Sequence, residues 1–443
     1  MKYSARLALF VVAVLFASIE MRAQESSAVR PRVVTATNQE QQQLPVPTTK
    51  LPPANPATVG PTLPVIEADS QKKIAGPITN LTPSVIQGRI SEAQRMFKTR
   101  PKPTALVPSI DFVTVAALDR ETARTHFITL SKQTFLTKGA ELSTVTSEGA
   151  PVNLRIIRAN GVNTALTIFT PDGKSLAPLT IEYPIERGGK YLETAYYTSA
   201  HPALLSKDLS NSGQSYVRNM LDLAAKRLRD KGVAISPQIV DVAERLCVVE
   251  HVDHGRFRDE NRLALYDEIY SLFALNELDT YRYSVSSAGA GGMVQMIPWA
   301  YNLERTRHPG VGLIPDFVVG MRNHGNALQA MLLYMHDTWG ELTANEEVKN
   351  ALSTNIATPS ELLAAGYNSN AAKLPGYLKR GGDGWRTLIP RETQMYLQIY
   401  KSFESLVPMQ GRIADARRSK HGLIRIFLSV LQFIEFPIQV PLG

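Results

Sequence analysis

The apolar residues of this chain change their spacing once, near residue 205, and that change limits what it can fold into. Before it, Phe127–Leu130, Val152–Ile157 and Ala165–Phe169 are short runs of strand-forming type. Turn dipeptides separate them: Glu148-Gly149, Asn160-Gly161, Asp172-Gly173 and Gly188-Gly189. After it the spacing is helical. Tyr216, Met220, Leu223, Ala224 and Leu228 share one stripe, which Gly232 ends. Ser236-Pro237 is a helix-start pair, and Ile239, Val242, Ala243, Leu246 and Val249 follow it at helical intervals. Ala264–Leu278, Ala327–Met335 and Arg391–Leu406 read as further helices. The expected fold class is therefore multidomain. A small antiparallel, sandwich-like β domain at 106–205 precedes a mainly α domain at 206–408, which is large enough for its own core.

The flanks are of a different kind. Residues 1–23 have the form of a secretory signal peptide: Lys2 and Arg6, then the apolar Leu7–Ala17, then a cut after Ala23. This implies export to the periplasm or beyond, or anchoring if the segment is retained. Residues 24–105 hold 12 of the 28 prolines and the run Gln41-Gln42-Gln43. Proline removes backbone donors and stiffens the chain, so this segment reads as a disordered tether with a short helix at Ile90–Phe97. Residues 409–443 are basic and then apolar, with Arg425, Glu435 and Pro437 inside the apolar run. That pattern fits contact with a membrane surface, or an element docked on the folded body. The lone Cys247 excludes an intramolecular disulfide and any CxxC zinc site. The net charge of +8 suits an anionic polymer or surface without naming one.

One stretch inside the α region is not helix-like: Val285-Ser286-Ser287-Ala288-Gly289-Ala290-Gly291-Gly292-Met293-Val294-Gln295-Met296-Ile297-Pro298. Its small residues let backbone approach a ligand closely and adopt positive φ. Glu277 lies nine residues before Ser286, after the apolar Leu272–Leu275. Ala365-Gly366-Tyr367-Asn368-Ser369-Asn370 and Pro390-Arg391-Glu392-Thr393-Gln394-Met395-Tyr396 come later.

This set, over residues 264–405, resembles the lytic transglycosylase domain of the soluble-transglycosylase and goose-lysozyme type. That family has a catalytic Glu, a Ser nine residues on, G-A-x-G-L-M-Q-x-x-P, then Y-N-x-G, then P-x-E-T-x-x-Y. Ser286, Gly289, Ala290, Gly292, Gln295 and Pro298 match the middle block, and Tyr367-Asn368 and Pro390, Glu392, Thr393 and Tyr396 match the later ones. The resemblance implies a lysozyme-like α domain that cuts the MurNAc-GlcNAc β-1,4 bond of peptidoglycan and leaves a 1,6-anhydro-MurNAc end. It implies Glu277 as the acid and then base, and Ser286, Met293, Gln295, Tyr367 and Asn368 as substrate-binding residues. It implies no cofactor and no metal. The chain departs from the pattern at Leu278, where Ser is usual, at Met293-Val294 and at Ser369-Asn370. The family's Asn-Ile pair has no counterpart in Val319–Gly325.

A carboxylic acid protonates a glycosidic oxygen near neutral pH when an apolar setting raises its pKa. Glu277 has one apolar flank. Glu250 also follows an apolar helix and is the alternative acid, but it lies 36 residues before Ser286 and requires an inserted helix between them. His251, Asp253 and His254 invite a metal reading but lack a third distant ligand. His324 has no nucleophile at recognisable spacing. Glu392 reads as a helix-start residue. Tyr281, Tyr283, Trp299, Tyr301 and Trp385 are candidates for stacking on sugar faces. A binding or scaffolding protein of the same fold, and a muramidase that uses water, are the other readings.

Overall fold

A computed structural model describes residues 77–100 and 109–412, and the backbone of residues 34 and 35. The expected signal peptide, most of the expected tether and the segment after residue 412 lie outside the described residues. β1 (Val34–Thr35) is a two-residue strand. α1 (Pro83–Thr99) starts at Thr82, whose hydroxyl accepts the Val85 N–H, and buries Ile86, Ile90, Ala93 and Phe97 on one face. Its apolar stripe packs against the sheet and two later helices. The tether reading is therefore corrected over this stretch: the short helix expected at Ile90–Phe97 is longer, and it shares a small core with the sheet and those two helices.

The β region is β2 (Phe112–Asp119), β3 (Arg124–Ser131), the single-turn α2 (Lys132–Phe135), β4 (Glu141–Val145), β5 (Pro151–Arg158), β6 (Ala165–Phe169), β7 (Ser175–Arg187) and β8 (Lys190–Tyr197). All neighbours are antiparallel, in the order β3-β2-β7-β6-β5-β4, with β8 also on β7. The 13-residue β7 joins the two halves of this curled sheet. It pairs with β6 at Ile168↔Leu176, with β2 at Val115↔Ile181 and with β8 from Ile181↔Tyr197 to Arg187↔Lys190. Gly188 and Gly189, both at positive φ, make the β7–β8 hairpin turn that a side chain would resist.

The helical region is α3 (Lys207–Asp230), α4 (Pro237–Val249), α5 (His254–Asp259), α6 (Arg262–Leu275), the strand β9 (Ser284–Val285), α7 (Pro298–Arg307), α8 (Phe317–Arg322), α9 (His324–Thr343), α10 (Glu346–Ser353), α11 (Pro359–Asn368), α12 (Leu374–Gly381) and α13 (Arg391–Leu406). β9 pairs antiparallel with β1. Ser236 caps α4 through the Ile239 N–H, with Pro237 at the first position. α4 is buried over most of its surface because α3, α6, α9, α11 and α13 surround it. One apolar core runs from Val115 and Ile181 of the sheet through Val217 and Leu246 to Leu332 and Phe403. The change of period near residue 205 thus marks a change of secondary structure, with no break in the core. No helix among the described residues is long and apolar enough to cross a membrane. At residue 412, the Arg412 guanidinium meets Asp222, Asp241 and Glu244, so the basic stretch begins docked on α3 and α4.

Candidate functional site

The Gly-rich block folds on itself as a compact double turn. The Ser286 N–H donates to Ala290 O (2.8 Å) and the Gly292 N–H to Ser284 O (3.0 Å). The Ser286 hydroxyl accepts the Ala290 N–H at 3.0 Å, so this buried side chain closes its own turn. Gly292, at φ +69°, has no room for a side chain: a Cβ there would lie 2.5 Å from Met321 O. Gln295 is also at positive φ (47°) and buried, and its Nε2 donates to Gly292 O at 2.8 Å. Met293 and Val294 are fully buried and fasten the block to the helices.

Two carbonyls of the block reach different helices. Val294 O accepts the Tyr367 hydroxyl of α11 at 2.7 Å. Met293 O lies 2.8 Å from His251 Nε2, just past the end of α4. Burial pushes the His251 imidazole down to about 3, so it is neutral and its Nε2–H donates to that carbonyl. The ring stacks on Tyr281 with centroids 3.5 Å apart. This fixes the neighbour, Glu250, which caps α4 in helical backbone geometry. The half-buried Glu250 Oε1 accepts the Tyr396 hydroxyl at 2.7 Å. The tyrosine that ends the Pro390–Tyr396 element therefore bonds to Glu250, while the residue after Glu250 bonds to the Gly-rich block. α5 and α6 lie between Glu250 and Ser286 in the chain.

Glu277 stands elsewhere. α6 ends at Leu275 because Asn276 leaves the helix to hold the sheet: its Oδ1 accepts the Thr198 N–H and its Nδ2 donates to Thr198 O. The chain then turns outward through Leu278, at φ +66° and 59% exposed. Glu277 is exposed, and its Oε1 accepts Gln87 Nε2 of α1 at 3.0 Å. The apolar Leu272–Leu275 faces the core, so it gives Glu277 no apolar pocket.

Beside the block is a cleft of about 350 Å³ between α7, α9 and the end of α11. Gln295 and Tyr367 line it with Trp299, Tyr334, Glu341 and Asn370. Trp299 is 66% exposed, whereas Tyr281, Tyr283, Tyr301 and Trp385 are buried and pack in the core. Of the five aromatic residues, only Trp299 presents a face to solvent. Asn368 is buried at the last position of α11. The start of that helix is held by a capping box between Thr358 and Glu361. Burial opposes ionisation of Glu361, but hydrogen bonds from Arg386 and Lys401 outweigh it and hold the group down to about 2.

The His251–Asp253–His254 reading is not realised. His251 is committed to Met293 O, and the Asp253 carboxylate caps α5 through the Gly255 and Arg256 N–H groups. His324 bridges the Tyr216 hydroxyl and Thr280 O inside the core. Cys247 is fully buried, as its apolar setting in the sequence implies. Glu392 lies in the first turn of α13. Sequence reading passed over Glu304, His308 and Asp337, which converge between α7 and α9. The Glu-x-x-x-His spacing was the available signal, and Asp337 had none.

Protein-family models, curated proteins and solved structures offer no match to this chain.

Proposed function

We propose that this protein is an exported peptidoglycan lytic transglycosylase of lysozyme-like fold, with Glu250 as its acid and base in preference to Glu277. One observation carries the choice: Tyr396 of the P-x-E-T-x-x-Y element donates to Glu250, and His251 ties the adjoining backbone to the Gly-rich block. Protonated Glu250 gives its proton to the glycosidic oxygen as the C1–O bond breaks. The carboxylate then takes the proton of the muramyl C6 hydroxyl as that oxygen bonds to C1. One bond breaks, one forms, and no water is consumed. The Tyr396 hydroxyl stabilises the carboxylate between the two steps. Gln295, Tyr367 and Trp299 hold sugar in the cleft. The net positive charge favours an anionic wall polymer.

A second reading, glycan binding without cleavage, has its own support: Glu250 is not among the residues that line the cleft. Digestion of purified sacculi tests both. Wild type and Glu277→Gln release anhydro-muropeptides, one water lighter by mass than hydrolysis products. Glu250→Gln loses about 10²–10⁴-fold in rate. Activity that survives Glu250→Gln but not Glu277→Gln overturns the assignment of the acid. Sacculi bound without product at any pH favour the binding reading.

A further inference from the structure

α7 and α9 both line the cleft, and between them a carboxylate is buried without a hydrogen-bond donor. Glu304 is 0% exposed, and neither of its oxygens has a hydrogen-bond partner. A buried carboxylate left this way is costly, and proteins resolve it with a proton, a cation or a paired base. His308, one turn on, places Nε2 3.7 Å from Glu304 Oε2 and 3.0 Å from Asp337 Oδ2. One ligand atom from each of the three residues lies within 4.8 Å of the other two. Ligands about 2.0–2.1 Å from a tetrahedral ion lie about 3.3 Å from one another. The 3.7 Å and 3.0 Å separations bracket that value. One imidazole and two carboxylates suit zinc and its first-row neighbours; calcium takes six to eight oxygens and fits this set poorly.

We propose that Glu304, His308 and Asp337 bind one divalent transition-metal ion of the zinc class, with water as fourth ligand, which pins α7 to α9. Charge supports it. Glu341 adds a third carboxylate nearby, and Arg307 is the cation facing the group, 2.9 Å from Glu341 and 3.5 Å from Asp337. The cluster keeps a net negative charge that a divalent ion would offset. The role is structural. Trp299, Ala300 and Leu303 of α7 and Tyr334, Thr338 and Glu341 of α9 line the cleft, so fastening the two helices sets its width. This inference is independent of which carboxylate, if any, cuts glycan.

The test uses the tag-free exported chain, stripped with chelator and dialysed, because a polyhistidine tag would bind zinc. Calorimetric titration with zinc chloride gives one ion per chain, and the melting temperature rises on loading. His308→Asn and Asp337→Asn each weaken binding about tenfold or more. Cobalt(II) on wild type gives the visible absorption of a four-coordinate ion, and added zinc abolishes it; this reading needs no variant to fold. No stoichiometric zinc binding, or binding unchanged in both variants, overturns the proposal. Absence of zinc binding together with a more stable Glu304→Gln variant assigns the site instead to a proton shared between Glu304 and Asp337.

Discussion

Tyr396→Phe tests the site most directly. The substitution removes one oxygen and leaves the ring in its pocket, where Tyr396 is 3% exposed. What is lost is the 2.7 Å hydrogen bond to Glu250 Oε1. A hydrogen bond to a charged group contributes about 1.5–3 kcal/mol. Glu250 is half-buried, so water replaces part of that, and about 0.5–1.5 kcal/mol of folding stability is the expected loss. The same interaction bears on catalysis, because a phenol that donates to a carboxylate favours its ionised form. At 1.36 kcal/mol per pH unit, that loss moves the basic limb of the pH–rate profile up by about 0.4–1.1 units. The assay follows anhydro-muropeptide release from sacculi across pH, with urea unfolding of the same samples. A shifted limb with modest loss of stability supports Glu250 as the acid. A profile that keeps its position, with loss only of stability, refutes the reasoning and reduces Tyr396 to packing.

Three further outcomes follow from the same structure. Gly292→Ala places a Cβ 2.5 Å from Met321 O at φ +69°, and should cost about 2–4 kcal/mol in urea unfolding; Gly139→Ala, at φ +79° with open space, should cost only about 1–2 kcal/mol. Trp299→Ala should leave the melting temperature unchanged, since the side chain is 66% exposed, and weaken glycan binding by about 1–2 kcal/mol in calorimetry. In the metal-free chain, burial and then the nearby Asp337 push Glu304 from 4.5 up to about 8. A raised carboxyl stabilises the fold while it stays neutral. Its contribution is present below pH 4.5 and is lost as the pH rises to about 8, by about 2–4 kcal/mol. Unfolding in chelator across that range should show this loss, and Glu304→Gln should flatten it.

Local chemistry was legible wherever the chain itself carried it. The strand Ala165–Phe169 and the helix Arg391–Leu406 fall on the residues that composition and spacing picked out. Ser236-Pro237 starts a helix, and Gly149, Gly173, Gly188 and Gly189 turn at positive φ. These features depend on neighbours in sequence, so sequence displays them. β7 was not legible. It is buried along most of its length, so it lacks the alternation that marks a half-exposed strand.

The two candidate acids show where sequence stopped. The resemblance favoured Glu277, because its nine residues to Ser286 are a local count. Which carboxylate adjoins a residue bonded to the Gly-rich block depends on what α4 and α6 pack against, and no local pattern holds that information. α6 ends early because Asn276 bonds to Thr198, 78 residues away, and Glu277 is turned out toward Gln87. α4 is enclosed by five helices, and its end meets Tyr396, 146 residues on. Glu304 and Asp337 likewise meet only because α7 packs on α9. The sequence by itself determined many of the elements, their turns and the Gly-rich block, since backbone preference and apolar spacing are short-range. Only the tertiary structure decided which side chains face one another, because burial and hydrogen-bond partners arise when distant segments close on a common core.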